Sequence, residues 1–81
     1  MYIVTFHTHY GAMTFLDRAK KKDPSSQMRP VPRVLSAACG VCVSYDSDMT
    51  DVVIADIPED MDTLYLYNGN SYEALFENPE A

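Results

Sequence analysis

From Val34 to the last residue the chain has no lysine and no arginine, while the same stretch holds ten acidic residues. The six basic residues (Arg18, Lys20, Lys21, Lys22, Arg29 and Arg33) face only Asp17 and Asp23 in the first 33 positions, so that segment stands at +4 and the remainder at −10. A basic surface supplies most of the affinity of a general nucleic-acid binder, and this distribution excludes one. It leaves room for a local anion site built from the basic part. Long apolar runs are also missing. No window approaches the roughly 18 apolar residues of a membrane span, so no membrane association is expected. The start, Met1-Tyr-Ile-Val-Thr-Phe, has no basic n-region and no signal-peptide pattern, and a cytoplasmic location is the expectation. Internal repeats and low-complexity segments are absent. So are an acid/base pair, a phosphate-binding loop and a nucleophile triad, which argues against an independent enzyme and implies no cofactor.

Cysteine is scarce. Cys39 and Cys42 are the only two, three residues apart, and in a cytosolic protein such a pair reads as thiol, redox or metal chemistry before structural disulfide. What is abundant is apolar: 47% hydrophobic residues argue for a folded chain. Eighty-one residues make one domain, 1–81, which buries only about 60–65% of its unfolded surface, with an acidic tail at 77–81 expected to fray.

Tyr2 to Phe6, β-branched and aromatic, reads as a strand. Thr8 is an acceptable N-cap for a helix over 9–22, whose Ala12, Leu16 and Ala19, with Met13 and Phe15 beside them, form a stripe at 3.6 spacing and whose last turn carries three lysines. Asp23-Pro24-Ser25-Ser26 ends it. A second strand at 27–31 contains Pro30, which suits only an edge. Val41, Val43 and Tyr45 alternate with Cys42 and Ser44 in a third strand, 41–45. Met49, Val52, Val53 and Ile57 suit a second helix within 48–57, and Thr63 to Tyr67 alternates as a fourth strand. Beyond the Asn68-Gly69-Asn70 turn, residues 71–77 fit either a short helical turn or a hairpin strand. The order βαββαβ predicts an α+β, ferredoxin-like sandwich of four antiparallel strands with two helices on one face.

That topology would gather His7, Thr8, the N-terminus of the first helix, Arg33 and Cys39 at one end of the sheet. An arginine and a helix N-terminus near a thiol favour its thiolate. Gly40 is expected to allow backbone angles that a side chain would resist. Cys42, on the alternating strand, is expected in the core or against a helix.

Phe6-His7, followed by Pro32-Arg33-Val34-Leu35-Ser36-Ala37-Ala38-Cys39-Gly40 opening a strand, resembles the small bacterial selenium/sulfur (Se/S) carrier-like family. The likeness covers the first 45 residues well and the rest loosely, and Cys42 lies outside the motif. It implies a small thiol carrier in which Cys39 holds a persulfide or selenide for donor and acceptor proteins, supported by Arg33, Ser36, His7, Thr8 and Gly40. Two other readings stand beside it. One is a non-enzymatic module that binds a small ligand or pairs through exposed sheet, as a homo-oligomer or with another protein. The other is a zinc site made of His7, His9, Cys39 and Cys42. Against these, a free cysteine is as often a small buried hydrophobe, and an arginine on a loop is more often a solvated surface charge.

Overall fold

The computed structural model describes residues 1–35, 37 and 39–80. Tyr2–Phe6 forms β1, His9–Lys22 α1, Gln27–Pro30 β2, Val41–Tyr45 β3, Thr50–Ala55 α2, Met61–Tyr67 β4 and Tyr72–Glu77 β5. All pairings are antiparallel, in the order β2-β3-β1-β4-β5. The expected four-stranded sheet is therefore a five-stranded one. β5 extends it by a hairpin through Asn68-Gly69-Asn70, where Gly69 takes φ 92° and the Asn68 side chain accepts from the backbone N–H of Asn70 and Ser71. The expected adjacency of the first and third strands holds, with Val4 opposite Val43 and Thr5 opposite Cys42. β2, short and closed by Pro30, is an edge.

Alternation divides the sheet into two faces. Val4 and Phe6, Val43 and Tyr45, and Leu64 point to one side, where Ala12, Phe15 and Ala19 of α1 and Val53 of α2 complete the core. Both helices thus cover the same face. Each large side chain buried here stabilises the fold by on the order of 1.5–3 kcal/mol before chain entropy is charged against it. Phe15 centres the layer, its ring 5.6 Å from Phe6 and 6.1 Å from Tyr45. β1 and β4 slip register between Val4 and Phe6, and there Thr5 Oγ1 replaces ladder partners by accepting from Thr63 N and donating to Thr63 O.

Three contacts bind the connections to this frame. Thr8, extended at φ −133° and ψ 153°, caps α1 by accepting from Gly11 N at 3.0 Å. Arg18 reaches from α1 to the C-terminal carbonyls of α2, donating to Asp56 O at 2.7 Å and Val52 O at 3.2 Å. The buried Asp23 carboxylate accepts from Ser25 beside it and from the N–H groups of Asp46 and Ser47, which follow β3.

Candidate functional site

The register fixes one end of the sheet as a meeting place. β1 ends at Phe6 where β3 begins and β4 begins, so His7, Thr8, the 31–40 connection and the 57–60 loop all emerge there. The 31–40 connection starts and ends as a hairpin extension. Val31 N donates to Gly40 O at 3.1 Å, and Leu35 N donates to Pro32 O in a tight turn that exposes Arg33. Cys39 sits at its far end as a free, half-buried thiol. Ser36 lies outside the described residues.

His7 and Thr8 turn towards the 57–60 loop. His7 N donates to Asp60 O at 2.8 Å, and the Thr8 hydroxyl donates to the Asp60 carboxylate at 2.7 Å. The start of α1 therefore meets a carboxylate of the chain itself. His7 Nε2 is buried with no hydrogen-bond partner among the described residues, in the wall of a 640 Å³ groove shared with Pro58, Glu59, Asp60 and Asn78. Among the described residues no group of three or more His, Cys, Asp or Glu is placed to hold a metal ion, so His7, His9, Cys39 and Cys42 do not form the zinc site that their spacing suggested.

Gly40 departs from expectation. Its φ is not in the left-handed region, and among the described residues a Cβ there would meet nothing within 4 Å. The turn it serves is made by Val31, Pro32 and Leu35, so the backbone freedom of glycine is not used at this position.

Cys42 is buried as expected, at 0% exposure, but it lies outside the helix-covered core. It shares the opposite face of the sheet with its cross-strand partners Thr5 and Arg29. Its thiol donates to Pro30 O at 3.7 Å, and burial pushes its pKa up to about 11 against the smaller pull of Arg29. At neutral pH it is a protonated thiol. Over it lies a second cleft, 440 Å³, floored by Ile3 and Cys42 and edged by Arg29, Arg33 and Tyr72. Arg29 also donates from Nε to Ser44 Oγ at 2.8 Å. The sequence reading missed Arg29 and Tyr72 here. The pairing of β2 with β3 carries the signal for Arg29, since antiparallel register sets it opposite Cys42.

A small α+β domain with a free thiol on the hairpin connection that opens β3 is the class defined by these features. The chain belongs to the family described as "Putative Se/S carrier protein-like", whose model matches residues 1–61, from β1 to the first residue of β4. No curated protein and no solved structure matches it.

Proposed function

We propose that the protein is a carrier of sulfur or selenium and that Cys39 is the carrier thiol. The observation that bears most on this reading is the contrast between the two thiols, Cys39 of the family motif and Cys42 three residues on. Cys39 is half-buried on a loop, whereas Cys42 is sealed in the sheet and held protonated. Family membership supports the cargo, and the basic Arg33, exposed on the same loop, supports an anionic one. In the proposed step the Cys39 thiolate attacks the outer sulfur of a donor protein's persulfide. The donor S–S bond breaks, the donor leaves as its thiolate, and Cys39 keeps the sulfur as a persulfide that an acceptor removes by the same exchange. His7, Thr8, Ser36 and Gly40 are the supporting positions in this proposal, and the partners are sulfur- or selenium-handling proteins of the cytoplasm. The first four strands are read as a ferredoxin-like unit with β5 appended.

Limiting iodoacetamide at neutral pH, followed by peptide mass spectrometry, is expected to modify Cys39 well before Cys42, and Arg33→Ala to slow that modification. Incubation with a persulfide donor should add one sulfur atom to the wild-type chain and none to Cys39→Ser. Equal protection of the two native thiols would make Cys39 a packing residue and end the carrier reading.

A further inference from the structure

We infer that the cleft over Cys42, on the helix-free face of the sheet, is a binding site for a small organic oxyanion, its headgroup held by Arg29 and Arg33 and its apolar body laid over Ile3 against Tyr72. The cationic side is the first ground. The chain carries a net charge of −6, yet among the described residues its ion pair is Arg18 with Asp56, and neither Arg29 nor Arg33 has a carboxylate within 4.0 Å. Two guanidinium groups on one cleft with no carboxylate partner among the described residues, Arg29 bonding only the neutral Ser44 Oγ through Nε, leave their paired N–H donors for an external anion.

The walls are the second ground. Pro30 and Pro32 bring no backbone N–H, Ile3 and Val31 are aliphatic, and Cys42 spends its weak donor on Pro30 O. Charged recognition therefore falls to the two arginines, with the Met1 ammonium, which donates to Tyr67 O at 3.5 Å, and the Tyr72 hydroxyl as the other polar groups of the lining, and the remaining walls suit an apolar body. Tyr72, stacked on Tyr67 at 4.6 Å, presents a braced ring at the far side. A volume of 440 Å³ matches a headgroup with one ring or a short chain, within the usual range of small-molecule sites. The site shares Arg33 with the carrier reading but does not rest on it, because its floor is Cys42 and its ligand makes no bond to sulfur.

Isothermal titration of the full chain at low ionic strength tests this, with phenyl phosphate and benzoate as probes and inorganic phosphate as the headgroup alone. One-site saturation by phenyl phosphate or benzoate is expected at millimolar concentration or below, the tighter of the two identifying the headgroup. Arg29→Gln and Arg33→Gln should each weaken it about tenfold. Exposed Arg33→Gln should keep the wild-type melting temperature, whereas Arg29→Gln gives up its bond to buried Ser44 Oγ and should melt somewhat lower, so both are measured and the titrations run on the folded variants. Cys39→Ser should bind as wild type, which separates this site from sulfur transfer. No saturation by either probe, inorganic phosphate binding as tightly as phenyl phosphate, or unchanged affinity in the double arginine variant would each overturn the proposal.

Discussion

Gly11 sits in the first turn of α1, where the helix presses on the 57–60 loop. A Cβ there would lie 2.7 Å from the Glu59 carbonyl oxygen and 2.8 Å from Asp60 Cβ. Backbone cannot swing aside as a flexible side chain can, so the loop that supplies Asp60 to Thr8 would have to move. Gly11→Ala should improve helix propensity by about 1 kcal/mol, yet overpacking of this kind costs about 1–3 kcal/mol. The net expectation in a urea melt is destabilisation. Gly40 predicts the reverse. With no described residue within 4 Å of the added Cβ and a φ outside the left-handed region, Gly40→Ala should stay within about 0.5 kcal/mol of wild type. The motif glycine is thus expected to tolerate a side chain, and the glycine with no place in the motif to resist one. The sequence drew attention to Gly40 and gave no sign of Gly11, because close approach between α1 and residues 59–60 is a tertiary fact with no local signature. Thr8, by contrast, was legible as the cap of α1, since its bond to Gly11 N spans three residues.

At the scale of elements, what was legible depended on how far each element's signal reached along the chain. α1 matched its expected bounds, 9–22, because its cap and its basic last turn are local. β5 stayed ambiguous between helix and strand because a bulge opposite Leu64 and Tyr65 interrupts its alternation and brings Leu75 out of step. The closure of α2 was invisible as well. This helix has six residues, no side-chain N-cap and no basic residue in its last turn. Its C-terminal carbonyls are served by Arg18 from α1, 34 and 38 residues away in sequence. A guanidinium placed at a helix C-terminus in partly buried geometry stabilises by up to about 2 kcal/mol. Arg18→Met keeps much of the apolar stem and removes the charge, the donors and the guanidinium that sits 5.9 Å from the Phe15 ring centroid. It should cost about 1–2 kcal/mol in equilibrium unfolding, and loss of amide protection should concentrate in residues 50–55. A uniform loss of protection across the sheet would instead mean that Arg18 acts through its packing.

For the whole molecule the question is what ties its two ends together, and at the end opposite the cysteine loop the answer is a carboxylate. Asp23 closes α1, and its Oδ2 accepts from Asp46 N at 3.0 Å and Ser47 N at 2.7 Å, where the chain leaves β3 for α2. Oδ1 accepts from Ser25 N and Ser25 Oγ. The donors from Ser25 and Ser47, led by the Ser25 hydroxyl, hold the carboxyl far below its ordinary pKa although the residue is only 6% exposed. A folded-state pKa depressed below the unfolded value stabilises fully above the unfolded pKa, near 4, and that contribution drains away as pH falls towards the folded one. Relief of the net negative charge works in the other direction over the same acid range, since protonating surface carboxylates reduces repulsion, but salt screens that term and leaves a buried hydrogen-bonded one. Stability of the wild type minus that of Asp23→Asn, measured by urea unfolding at fixed ionic strength, isolates the carboxylate from the surface charges common to both. The difference should be positive and level at neutral pH and should shrink below about pH 4. Two curves that run parallel from pH 7 to pH 2.5 would show that Asp23 acts by shape and hydrogen bonding alone, with its charge contributing nothing to the tie between the α1–β2 turn and the β3–α2 turn.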